Sequence, residues 1–329
     1  MKQIISLAVL ALMTLPASAF DLQGHRGARG RAPENTIPGF ETALRIGVTT
    51  LELDTAMTRD NVLVVSHDSS LNPEHTRGPD GEFLKEQGPA IRSLTISELQ
   101  AYDVGRIQPG TAYAARFPTQ KGADNVRIPA LTEVFDLVKR NNAEHIRFNI
   151  ETKITPTSGA DTPDPETFAA ALVKAIQDAG LTKRASIQSF DWRTLMVAKR
   201  IAPEIERVCL TIQSPGEDNI RRNLPGPSPW TAGLDIDDVD GSVPRLVKAA
   251  GCAVWSPYFR NVTGALVKEA HDLGLKVIPW TVNEMADLEL MYQTGIDGII
   301  SDYPDRARAA LPKGVAAPAP VDIKSIPQN

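Results

Sequence analysis

A TIM-type (β/α)8 barrel, an α/β fold with a small subdomain inserted after the second strand, is the fold class this sequence predicts. Three observations carry the prediction. Eight short strand-like runs, most of them rich in Val, Ile, Leu or Phe, follow one another, bounded by turn residues. Segments with apolar residues at helical spacing lie between most of them, and such alternation implies a parallel sheet. Eight repeats within 329 residues suit a closed barrel better than an open doubly wound sheet.

Taken in order, residues 1–19 read as a secretory signal. Lys2 supplies the positive charge, and Ile4 to Leu15 an apolar stretch too short to span a bilayer comfortably. Ala17-Ser18-Ala19 is a small-residue cleavage site ahead of Phe20. The mature chain is therefore expected to be exported, periplasmic or secreted, and no later segment has transmembrane length. The strand-like runs are 21–27, 50–58, 147–153, 185–190, 207–212, 253–259, 276–282 and 298–302. The helical patterns cover 37–46, 131–141, 165–179, 192–201, 243–250, 263–273 and 284–294. Gly47, Gly180, Gly251, Gly274 and Gly295 fall just after such segments, where helices stop. The stretch 71–127 breaks the rhythm. It is rich in Gly, Pro and charge, with one helical piece near 96–102. A structureless loop of that length is foreign to a compact domain, so it reads as the inserted subdomain of a barrel domain covering 20–312. The Ala- and Pro-rich end, 313–329, reads as a loose tail.

The formal charge of −5 argues against nucleic acid or an anionic membrane surface as a general partner. A small anionic substrate is still compatible, because a metal and a few local cations overrule net charge. The only cysteines are Cys209 and Cys252. In an oxidising compartment they could pair, or they could be two small buried apolar residues. Lying at different heights on adjacent predicted strands, they are expected to be free.

Barrel chemistry gathers at the C-terminal ends of the strands. The first run ends in Gly24-His25-Arg26-Gly27, and the second carries Glu52-Leu53-Asp54. The short run 62–66 delivers His67-Asp68, and the third long run carries Glu151-Thr152-Lys153. Glu52 and Asp54 are two apart on a strand and share a face, as do Glu151 and Lys153. A lone Glu-x-Asp pair is ordinarily a rim salt bridge. Two such pairs beside two strand-end histidines point instead to a cation between the carboxylates, and oxygen-only ligands suit Ca²⁺ or Mg²⁺. His25 and His67 are the candidate proton-transfer pair, because imidazole titrates near neutrality. Arg26, in its Gly-His-Arg-Gly setting, can hold two phosphate oxygens. His75, His145 and His271 read as structural residues. The acidic run 235–241 fails as a calcium loop because Ile236 and Val247 would occupy ligand positions.

These motifs, with Pro33-Glu34-Asn35-Thr36, Gln188-Ser189-Phe190-Asp191 and Ser301-Asp302-Tyr303-Pro304, resemble in order those of the glycerophosphodiester phosphodiesterase family from about Asp21 to Leu311. The resemblance implies a divalent metal, Ca²⁺ or Mg²⁺, on Glu52, Asp54 and Glu151. It implies His25 and His67 as acid and base, Arg26 and Lys153 on the phosphate, Glu34 and Asn35 ordering the site, and Trp280 lining the alcohol pocket. One departure stands out. Where the family usually runs into a Leu-x-Arg-Thr-Thr-like segment and a glycine turn, this chain reads Leu71-Asn72-Pro73-Glu74-His75-Thr76-Arg77-Gly78.

The expected reaction is hydrolysis of a small glycerophosphodiester to glycerol 3-phosphate and an alcohol. Attack by a glycerol hydroxyl through a cyclic phosphate, and direct attack by water, are both open to such a site. Rival readings are a sphingomyelinase D-like or phosphatidylinositol-specific phospholipase on the same fold, which calls for apolar lipid-engaging loops, and an exported solute-binding protein, which calls for two α/β lobes.

Overall fold

The computed structural model describes residues 20–222 and 224–324. The predicted signal at 1–19 lies outside the described residues. Eight parallel strands, β1 (Asp21–Gly24), β2 (Thr50–Met57), β3 (Arg147–Thr152), β4 (Ala185–Ser189), β5 (Glu206–Thr211), β6 (Val254–Pro257), β7 (Lys276–Val277) and β8 (Gly298–Ser301), neighbour one another in chain order. β8 then pairs with β1, Ser301 lying opposite Gly24. Between β7 and β8 single backbone bonds close the ring: Asp297 N–H donates to Val277 O, and Ile300 N–H to Pro279 O, each at 3.0 Å. The predicted TIM barrel is present.

Helices α1 (Ile37–Ile46), α2 (Leu131–Arg140), α3 (Pro165–Asp178), α4 (Trp192–Ile201), α5 (Val243–Ala250), α6 (Gly264–Asp272), α7 (Met285–Gln293) and α8 (Pro304–Ala309) wrap the outside. Their starts follow from the sequence. The side chains of Thr36, Asp164, Asp191, Ser242 and Thr263 accept first-turn N–H groups that would otherwise be unpaired, each cap contributing about 1 kcal/mol. Helix α8 was not anticipated; its six residues are too few to show a period. The expected strands and the other seven helices are present.

Alternation along the strands sorts side chains to two faces. Leu51, Leu53, Phe148, Ile150 and Ile187 face outward and join the main apolar cluster with the helices. The intervening residues fill the barrel, and they divide it. Val208, Val254, Ile278 and Ile300 make an apolar cluster on one side. On the other side Asn149 donates to Gln23 Oε1 (2.9 Å) and Gln188 Oε1 (2.8 Å), and Ser186 Oγ donates to Asn149 Oδ1 (2.9 Å). A saturated polar network thus underlies the β1–β4 half of the barrel.

After β2 the chain turns back in a short strand, Leu63–Val65, antiparallel to β2. The segment 71–127 then carries short helices at Ile96–Leu99 and Ala112–Arg116. Its buried Leu71, Ile91, Leu99, Val104 and Val126 cluster with Ile128 just beyond it, Ala56 of β2 and Val64. Backbone and side-chain bonds from Thr119, Gln120 and Lys121 tie it to the 29–31 loop.

Two expectations are corrected. Cys209 and Cys252 are joined in a disulfide, with Cα atoms 5.9 Å apart. Cys252 precedes β6 rather than lying on it, in the turn that Gly251, at φ 80°, folds at the end of α5. The strand-height argument therefore does not apply to it. The tail is not loose as far as Lys324. Val321 N–H donates to Leu44 O at 2.9 Å, Lys324 N–H donates to Asn141 Oδ1, and the Val321 side chain is buried in the main cluster. One apolar residue with a groove between helices to fill outweighs the composition around it.

Candidate active site

The site lies at the C-terminal mouth of the barrel, over its polar half. Just past β1 the chain folds back sharply. Arg26 and Asn35 both adopt left-handed backbone (φ 51° and 55°), an uncommon conformation for residues with side chains. Between them, Gly27 (φ 87°) passes 2.7 Å from the Gly39 backbone as measured to an added Cβ, so only glycine fits. This turn points Arg26, Glu34 and Asn35 over the ends of β2 and β3.

Glu52 and Asp54 project from β2, and Glu151 from β3, where it is the register partner of Asp54. All three are buried, and one oxygen from each lies within 4.8 Å of the others. Their surroundings orient them. Glu52 accepts from Gln188 Nε2 (2.6 Å) and from Arg26 N–H (2.8 Å), and Asp54 accepts from Asn35 Nδ2 (2.9 Å). Lys153 Nζ stands 3.0 Å from Glu151 and 3.9 Å from Asp54, while Arg26 Nε stands 3.2 Å from Asp54. Burial and then repulsion by Asp54 push the Glu52 carboxyl well above its usual range. Burial lifts Glu151 to about 7, with Lys153 opposing and Asp54 assisting. Burial acts in the same sense on Asp54, but Arg26, His67 and Lys153 outweigh it and hold that carboxyl well below its ordinary value. The protein's own two cations do not neutralise this group; the hard oxygen donors, close-set and buried, fit a divalent cation.

Two histidines flank the carboxylates, each held by an acid. His25 donates through Nδ1 to Asp302 Oδ1 at 2.6 Å, leaving Nε2 4.0 Å from Glu52. His67 donates through Nδ1 to Asp68 Oδ1 at 2.8 Å. Bonding at Nδ1 fixes the ring and presents Nε2. Burial, followed by the charges of Arg26 and Lys153, pulls His67 down to about 4. Burial also lowers His25, against the opposing pull of Asp302. Asp302 is itself fixed, by Arg29 through Nε (2.8 Å) and Nη2 (3.1 Å) and by Asn283 Nδ2 (2.7 Å). Arg26 in turn gives Nη1 to Glu34 Oε1 at 2.7 Å.

These groups open into one cavity of about 810 Å³. One wall is aromatic: Trp280 packs edge-on against Phe190 (centroids 5.2 Å apart) and touches Tyr258 (5.8 Å), its Nε1 donating to Ser256 O. His25, Arg26, Glu34, Glu52, His67, Glu151, Lys153 and Trp280 all line this cavity, and Asn35 and Asp54 lie just behind its wall. All ten residues singled out from the sequence are therefore together.

Asp302, Arg29, Gln188 and Asp68 were not assigned roles from sequence. Asp302 closes β8 and could be marked as a polar strand end, but its pairing with His25 requires the closed barrel. His75, read as structural, also lines the cavity. His271 pairs instead with Asp297 on an outer helix, and His145 is exposed before β3.

Residues 25–306 match the Glycerophosphoryl diester phosphodiesterase family. A glycerophosphodiester phosphodiesterase of Caldanaerobacter subterraneus is 29% identical over 292 residues, which cover 88% of this chain and 97% of that one. Among solved structures, a Silicibacter pomeroyi protein assigned as a glycerophosphoryl diester phosphodiesterase shares 36% identity at a TM-score of 0.79, covering 89% of this chain and 93% of its own. An Oleispira antarctica phosphodiesterase, solved with sn-glycerol-3-phosphate, shares the fold at 21% identity and a TM-score of 0.62, covering 89% of this chain and 96% of its own. With the match spanning the barrel from its first histidine into its last helix, the chain belongs to the glycerophosphoryl diester phosphodiesterase family.

Proposed function

We propose that this glycerophosphodiester phosphodiesterase releases glycerol 3-phosphate and an alcohol, using His25 and His67 for proton transfer and a divalent cation, Ca²⁺ or Mg²⁺, held by Glu52, Asp54 and Glu151. The observation that carries the reading is the placement of two carboxylate-held histidines beside three buried carboxylates in one cavity. A bound cation would neutralise those carboxylates and draw charge from a phosphodiester oxygen.

The chain's own groups do the rest. Arg26 gives Nη1 to Glu34 and stands with Nε 3.2 Å from Asp54 without a hydrogen bond, Nη2 is offered to a phosphate oxygen, and Lys153 adds a second positive charge. The glycerol hydroxyl next to the phosphate attacks phosphorus while one imidazole takes its proton. The second imidazole protonates the alcohol oxygen as its bond to phosphorus breaks. A water then opens the resulting cyclic glycerol phosphate with the two proton roles exchanged. Glu34 and Asn35 act by positioning Arg26 and Asp54. The Trp280, Phe190 and Tyr258 wall receives the departing alcohol.

The protein is read as exported. The 1–19 pattern supports this, and a disulfide suits an oxidising compartment. Among the described residues no helix is long and apolar enough to cross a membrane. The test is incubation of the purified protein with glycerophosphocholine, before and after exhaustive chelation. Glycerol 3-phosphate and choline are expected, lost on chelation and restored by Ca²⁺ or Mg²⁺. Release of phosphocholine, or full activity with no metal bound, would overturn the reading.

A further inference from the structure

One end of the cavity carries polar atoms that the proposed chemistry does not use. Tyr113, on the short helix Ala112–Arg116, is 9% exposed, and its hydroxyl has no partner among the described residues. The same is true of His75 Nδ1, whose ring lies 5.8 Å from that of Tyr113. It is true also of Glu34 Oε2, the oxygen turned away from Arg26, which has Arg29 Nη1 at 3.9 Å but no hydrogen bond, on a side chain only 9% exposed. All three residues line the cavity. Leaving a buried polar atom without a partner is costly, so three on residues that line one cavity mark a place for a ligand.

The kinds of atom say what. An anion would satisfy the Tyr113 hydroxyl but would face the Glu34 carboxylate. A cation would suit Glu34 and leave the tyrosine hydroxyl unpaired. A hydroxyl group both donates and accepts, and so answers a carboxylate and a phenol at once. The location narrows the source. Glu34 is bonded to Arg26, whose backbone N–H is bonded to Glu52, so two hydrogen bonds link the Glu34 side chain to the carboxylate cluster. The wall formed by Phe190, Tyr258 and Trp280 is mainly ring surface, with Trp280 Nε1 already given to Ser256 O.

The geometry points to a hydroxyl-recognition subsite formed by Glu34, His75 and Tyr113, which holds the terminal hydroxyl of the glycerol whose phosphate sits at the catalytic centre. It rests on the proposed function for the identity of the polyol. Two of its three residues come from segment 71–127, so the inserted chain selects the glycerol end of the substrate while the barrel loops receive the alcohol.

Binding tests it without turnover. sn-Glycerol 3-phosphate and propane-1,2-diol phosphate, which lacks only the terminal hydroxyl, are titrated calorimetrically into the wild type, Tyr113→Phe and His75→Gln. The wild type should bind glycerol 3-phosphate more tightly. Tyr113→Phe should lose about 3- to 10-fold for it and be unchanged for the diol phosphate, the value of one hydrogen bond. Because the Tyr113 hydroxyl bonds nothing in the protein, that variant should melt no lower than the wild type. His75→Gln should show the same selective loss. Equal losses for both ligands, or no loss for either, would overturn the subsite. Failure of glycerophosphocholine hydrolysis, with the selective binding loss intact, would instead strike the proposed reaction and leave the subsite standing.

Discussion

Opening the Cys209–Cys252 bridge should weaken the fold by an amount that the chain length between them sets. The two residues are 43 apart, and they enclose the hairpin Gln213–Ser214 and Glu217–Asp218, the Trp230 loop and helix α5. A cross-link stabilises largely by restricting the unfolded chain, and for a loop of this length the entropy lost is worth about 4 kcal/mol. Spread over a domain of this size, that corresponds to a fall in Tm of about 6 °C. The measurement compares melts of one preparation with and without reductant, which changes no packing atoms, and counts thiols after denaturation. Unreduced denatured protein should show none and reduced protein two. Coincident melts, or two reactive thiols without reductant, would refute the argument. Because the enclosed loop supplies Glu217, Asp218 and Trp230 to the cavity, reduced protein should also bind glycerol 3-phosphate less tightly than oxidised protein.

Asp302→Asn should lower turnover by about 10²–10⁴-fold, since His25 loses the anion on Nδ1, and should lower Tm because Arg29 is left buried without its carboxylate. Turnover within threefold of wild type would remove Asp302 from the mechanism. His25→Ala and His67→Ala should each abolish most activity while folding, their losses should not multiply in the double variant, and His271→Ala should stay near normal; steady-state rates on glycerophosphocholine decide this. Folded His67 titrates at about 4 against an ordinary 6.5, so the unfolded chain takes up a proton first as pH falls. The stability present above pH 6.5 is therefore lost between 6.5 and about 4, and urea melts of the wild type should show that limb flattened in His67→Gln.

What could be read from the sequence follows the range of the interactions involved. Glu52 and Asp54 are visible as a pair because two residues on a strand must share a face, and Glu151 with Lys153 repeats the rule. The strands and longer helices are visible because burial imposes a period. Helix α8 is shorter than its period requires. The Asp302 contact to His25, and the Gln188 contact to Glu52, depend on which strand neighbours which, and residue spacing does not carry that. The pairing of Cys252 is not legible because a turn of three residues decides where its sulfur points. Tyr113 and His75 lie in a segment with almost no regular structure, where no periodic signal ties a side chain to a cavity.

The bond between His25 and Asp302 joins positions 277 residues apart, across the pairing of the first barrel strand with the last. A ribosome adding about 5–20 residues per second makes Asp302 roughly 15–55 s after His25. By the time β7 is complete, Arg26, Glu52, Asp54, His67, Glu151 and Lys153 have all been synthesised, yet His25 still lacks the residue after β8 that holds its ring. If His25 transfers protons as proposed, hydrolytic competence arrives with the final strand. If the protein is exported as proposed, a chain threaded across the membrane before that point would carry the other site residues without the His25–Asp302 pair.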